Sequence, residues 1–98
     1  MSTESFVCSM WYRGIGILGG NLLLDNDTLT YTIQRQRRDV GEKYWTLVLP
    51  LNEIKEMKWK QIIFPFAVFQ MKNQEEYSVF IFNKKHFNTC YEKCQKNL

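Results

Sequence analysis

The feature that most constrains this chain is a single change of hydrophobic period. Apolar residues recur at every second position through most of the sequence, and only beyond Asn83 do they shift to spacings of three and four. Alternation sends successive side chains to opposite faces of a strand, whereas the wider spacing stacks them on one side of a helix. The alternation is cleanest from Leu29, where Leu29, Tyr31 and Ile33 share one face and Thr30, Thr32 and Gln34 the other. That is the signature of a half-buried strand.

Residues 10–18 read as a first strand, closed by Gly19, Gly20 and Asn21 as a tight hairpin turn. Residues 22–24 form a short second strand that ends in Asp25, Asn26 and Asp27, side chains that hydrogen-bond their own backbone in turns. The third strand starts at Leu29 and runs into a polar loop at residues 36–42. Residues 44–51 read as a fourth strand, and Pro50 near its end predicts an edge or a terminus. Residues 52–60 suit either a helical turn, through Leu51, Ile54 and Met57, or a strand; a turn followed by a fifth strand is expected. Residues 64–72 and 77–82 are strands with apolar residues on both faces, joined by Asn73, Gln74, Glu75 and Glu76. Asn83 can cap a helix over about 83–97, in which Phe87, Cys90, Tyr91, Cys94 and Leu98 form one apolar stripe. The 98 residues therefore read as one mainly β domain, 1–98, a split barrel of about seven antiparallel strands plugged by a C-terminal α-helix. Fifteen aromatic residues give such a small domain a large burial term.

Three segments carry a family resemblance. Gly20, Asn21, Leu22, Leu23 and Leu24, followed by Leu29, Thr30 and Tyr31, look like the G-x-L-x-L…L-x-F/Y opening of GRAM domains. Leu49, Pro50, Leu51, Asn52, Glu53 and Ile54 resemble that family's I-P-L-x-x-I element. Tyr77, Ser78, Val79, Phe80, Ile81 and Phe82, with Phe87, resemble its final strand and helix phenylalanine. The matched segments span most of residues 20–94, and their order and spacing carry the likeness. The resemblance implies the pleckstrin-homology-like fold and a non-catalytic lipid- or protein-binding module.

The charge pattern narrows the partners. A net charge of +3, from 13 basic and 10 acidic residues, is too weak to make nucleic acid the default partner. Cys8, Cys90 and Cys94 form an odd set without disulfide spacing, which predicts a reducing compartment such as the cytoplasm. The N-terminus lacks a signal-peptide layout. The longest apolar run, residues 62–69, is far below the roughly 20 residues needed to span a bilayer.

Several constellations test for chemistry. Gly14 to Gly19 match G-x-G-x-x-G, but a dinucleotide site needs a helix next and a strand-like leucine run follows, so these read as hairpin and barrel-bend glycines. His86, Cys90 and Cys94 sit at i, i+4 and i+8, so the outer two lie about 12 Å apart along a helix and the three cannot share one Zn²⁺. The cysteines are therefore expected to pack as small hydrophobes, His86 to lie at the surface, and no metal or other cofactor is expected. No nucleophile, base or paired carboxylates stand out, so an enzyme is not expected. The informative groups are basic. Arg35, Arg37, Arg38 and Lys43 give the third-to-fourth loop a local charge of +2, and Lys58 and Lys60 bracket Trp59 as a second basic and aromatic surface. The expected function is weak binding of an acidic lipid headgroup or phosphate-bearing ligand at a membrane surface, through Arg35, Arg37, Arg38, Lys43, Lys58 and Lys60. The alternative is a protein-interaction or self-associating module that uses a sheet edge or exposed aromatics.

Overall fold

Alternation becomes one seven-stranded antiparallel sheet in a computed structural model of the chain, which describes residues 3–12, 16–35, 45–61 and 64–96. Strands β1 (Glu4–Tyr12), β2 (Gly16–Leu24), β3 (Thr28–Ile33) and β4 (Thr46–Pro50) form one meander. A 3₁₀ turn at Leu51–Glu53 leads to a second meander of β5 (Ile54–Gln61), β6 (Pro65–Met71) and β7 (Glu76–Ile81), and helix α1 (Lys84–Lys96) ends the chain. The strand order is β4-β3-β2-β1-β7-β6-β5. Pairing of β1 with β7 joins the two meanders, while β4 and β5, neighbours in sequence, lie at opposite edges. The sheet curls into the split half-barrel that the sequence predicts. Pro50 closes the edge strand β4, where a missing backbone donor interrupts no central ladder. The uncertainty at residues 52–60 resolves into a turn and then a strand.

The first hairpin is displaced from its expected position. β1 begins at Glu4, not residue 10, and the chain reverses between Tyr12 and Gly16. Gly16 carries the positive φ of +111°. Gly19, Gly20 and Asn21 are not a turn but lie inside β2, opposite Ser9, Cys8 and Val7. Gly20 is small for a different reason. A Cβ there would lie 2.5 Å from the Thr32 carbonyl oxygen and 2.6 Å from the Tyr31 ring. The buried Tyr31 ring crosses over this position, and its hydroxyl donates to the Leu18 carbonyl at 3.1 Å. Alternation cannot distinguish this tight packing from a turn, since both demand glycine.

The inner face holds the core. Leu22, Leu24, Leu29, Tyr31, Phe69, Val79 and Phe87 are among its fully buried side chains. Phe87 projects from the first turn of α1, where its amide donates to the Asn83 carbonyl at 3.0 Å. Its ring meets Phe6 edge-on at 5.1 Å and Phe69 at 6.3 Å, and it stacks on Tyr91 one turn later at 5.7 Å. These offsets and T-shapes favour aromatic pairs beyond simple area burial. Phe87 and Tyr91 are buried, whereas Cys90 and Cys94 flank them half-buried against the core. Leu98 lies outside the described residues.

Candidate functional site

The same period of two that fills the barrel also furnishes its outside. On β6, Ala67, Phe69 and Met71 point inward, so Phe66, Val68 and Gln70 point outward. Strand register then lays outward residues into rows. Lys60 pairs with Phe66, Phe66 with Phe80, Phe80 with Ser9, and Ser9 with Gly19. In the neighbouring row Lys58 pairs with Val68 and Val68 with Ser78, while Trp11 faces Ile17 across the first hairpin.

Four phenylalanines gather on this face without joining the core. Phe80 lies 5.1 Å from Phe64, 6.0 Å from Phe66 and 4.8 Å from Phe82, all at tilted or edge-on angles. Phe66 is buried by its neighbours on the outside of the sheet, whereas Phe64 (49%) and Phe82 (60%) remain exposed. Trp11 and Ile17, each 51% exposed, continue the surface. Trp11, Ile17, Phe64, Phe66 and Val68 line a mainly apolar groove of about 460 Å³, with Lys60, Glu76 and Ser78 as its polar lining. Contiguous exposed apolar surface of this kind marks interaction sites.

The basic residues singled out from sequence divide between two places. Lys58 and Lys60 both stand on the outer face of β5, and Lys60 borders the groove. Lys58 lies 3.6 Å from Glu56, both side chains being exposed. Trp59 is not their companion, because alternation turns it to the inner side, where its indole N–H donates to Asn88 at 3.1 Å and Lys84 sits 4.8 Å over its ring. The aromatic neighbours of Lys60 are instead Phe66 across the ladder and Phe64 and Trp11 around the groove, whereas Lys58 faces Val68. Exposed Arg35 lies at the end of the half-barrel from which the β1–β2, β3–β4 and β6–β7 connections leave. It borders a shallow 240 Å³ pocket with Ile17 and Gly19. Arg37, Arg38 and Lys43 lie outside the described residues.

Sequence reading left out Trp11, Ile17, Phe64, Phe80 and Phe82. A signal was present, since β6 and β7 carry apolar residues on both faces while α1 can cover only one of them. The glycine motif of residues 14–19 leads into β2 and not a helix, so its described members are strand residues.

A second cluster lies where α1 meets β1. The His86 Nε2 is 3.4 Å from a Glu4 carboxylate oxygen and 3.8 Å from the Cys90 sulfur. The ligand atoms of Glu4, His86 and Cys90 all fall within 4.8 Å of one another, and Cys94 is not part of the group. Burial, the Glu4 carboxylate and Cys94 push the Cys90 thiol above its ordinary range, against a smaller opposing effect of Lys93. Cys8, buried in β1, is pushed up to about 12 by desolvation.

No family model matches the chain, and no curated protein does either. Among solved structures, the C-terminal domain of an unknown protein from Leishmania infantum is similar, with a TM-score of 0.74 and 11% identity. The match covers 94% of this chain and 81% of that one. Such a likeness establishes a shared fold, a curled antiparallel sheet with one terminal helix, in keeping with a pleckstrin-homology-like split barrel. Among the described residues no helix is long and apolar enough to cross a membrane.

Proposed function

We propose that this chain is a non-catalytic binding module of GRAM and pleckstrin-homology-like type that docks a protein partner on the outer sheet face. The observation that carries this reading is the cluster of Phe64, Phe66, Phe80 and Phe82 beside exposed Trp11 and Ile17. Aromatic anchors in a groove that carries one lysine, Lys60, and one carboxylate, Glu76, suit a protein partner that presents apolar side chains flanked by polar groups. The free thiols of Cys8, Cys90 and Cys94 fit a reducing compartment, and we place the module in the cytoplasm. The experiment is photo-crosslinking in cells from position 64, with exposed position 93 as control. A discrete protein adduct at 64, lost with Trp11→Asp, supports the reading. Crosslinking no stronger than at 93 overturns it.

A second reading is favoured by Arg35 beside its shallow pocket at the open end of the half-barrel, where an acidic lipid headgroup would sit. Attraction to an anionic membrane is worth about 1 kcal/mol per basic residue, so the loop supports weak, reversible association. Binding to phosphatidylserine vesicles should vanish at high salt. It should also vanish in the triple variant Arg35→Glu, Arg37→Glu, Arg38→Glu, with the melting temperature unchanged. Equal binding by the triple variant refutes the headgroup site.

A further inference from the structure

The cluster of Glu4, His86 and Cys90 is remote in sequence but converges on one atom. His86 and Cys90 are one helical turn apart, so both side chains rise from the same side of α1. Glu4 opens β1, which pairs with β7, and β7 leads directly into α1. As a result the carboxylate oxygen and the sulfur approach the same nitrogen, Nε2 of His86, at 3.4 and 3.8 Å. A neutral imidazole nitrogen holds either one proton or one lone pair, so it can serve only one of these neighbours at a time. A cation serves all three.

The spacing fits such a cation. With Zn–N and Zn–O bonds of about 2.0–2.1 Å and Zn–S of about 2.3 Å, tetrahedral angles place N and O about 3.3 Å apart and N and S about 3.6 Å apart. The two edges at the imidazole lie within a few tenths of an ångström of these values. The carboxylate oxygen and the sulfur, up to 4.8 Å apart, must close by about 1 Å to reach the roughly 3.6 Å of a shared ion, a movement that a rotation of the partly exposed Glu4 side chain supplies. The Phe6 ring, 5.5 Å from the imidazole, packs beside it and restricts its swing. Thiolate, imidazole and carboxylate together suit a borderline-soft ion and not Mg²⁺ or Ca²⁺, which take oxygen ligands. We propose that Glu4, His86 and Cys90 bind one zinc-class divalent cation with a fourth position left to water, tying the first strand to the helix that plugs the barrel.

The test is a Co²⁺ titration of the untagged, full-length chain, reduced and stripped of metal. A thiolate-to-cobalt charge-transfer band should grow to one equivalent and disappear when Zn²⁺ is added. Cys90→Ser should abolish the band, while Glu4→Gln and His86→Ala should each weaken binding at least about tenfold. Cys94→Ser should leave it intact. Glu4 and His86 are partly exposed, so circular dichroism should show every variant folded. Absence of the band at millimolar Co²⁺, its survival in Cys90→Ser, its loss in Cys94→Ser, or unchanged affinity in Glu4→Gln overturns the three-ligand site.

Discussion

The inner and outer faces of the sheet are built from the same strands, and each carries a phenylalanine cluster with tilted or edge-on rings 4.8 to 6.3 Å apart. On the inside, α1 brings Phe87 and Tyr91 down on Phe6 and Phe69, and water is excluded. On the outside, Phe80 gathers Phe64, Phe66 and Phe82, but no described element lies over them. Similar local chemistry therefore has opposite consequences. Inside it stabilises the fold, and outside it offers surface to something else.

The contrast breaks most readily at Phe87. Phe87→Ala removes the ring that four aromatic neighbours surround, and denaturant melts should show a loss of about 3–5 kcal/mol. A loss below about 1 kcal/mol would mean that the helix does not hold the core. Gly20→Ala comes next, because its Cβ would collide with the backbone of Thr32 and the Tyr31 ring. About 1–3 kcal/mol should be lost. A stability equal to wild type would return this glycine to a turn.

A pH titration sharpens the inner side further. The folded pKa of Cys8, about 12, lies above the ordinary value of 9.0, so above pH 9 the unfolded chain gives up its thiol proton first. Stability is thus full below pH 9 and falls as pH rises from there toward 12, by about 1.4 kcal/mol at pH 10. Urea melts from pH 8 to 10 should show this slope in wild type and a shallower one in Cys8→Ala. Parallel slopes would mean that the Cys8 thiol is solvated.

The smallest effect on stability belongs to the outer face. Phe64→Ser with Phe82→Ser should change stability by less than about 1 kcal/mol, since both rings are half exposed or more, yet weaken partner capture. A larger loss would make this face a second core. An unchanged capture would remove it from the docking surface.

Much of this architecture was legible in the chain itself. The alternation at Leu29, Tyr31 and Ile33, the period change after Asn83 and Pro50 at an edge follow from local geometry, and each stands as expected. The first hairpin was misplaced because Gly19 and Gly20 looked like a turn, while their actual constraint is the Tyr31 ring from the neighbouring strand. Adjacency in sequence puts Trp59 between Lys58 and Lys60, but a strand sends it to the opposite face, where its indole reaches Asn88.

Sequence by itself determined the element types and the stripe that buries Phe87, because those depend on spacings of two, three and four along one chain. It also showed that His86, Cys90 and Cys94 cannot share an ion, a matter of helix rise alone. Only the tertiary structure decided which aromatic cluster α1 covers, and only it carried Glu4 to a histidine 82 positions away. Neither outcome has a period to read. Each depends on the pairing of β1 with β7, a contact between the two ends of the chain that forms when the sheet curls.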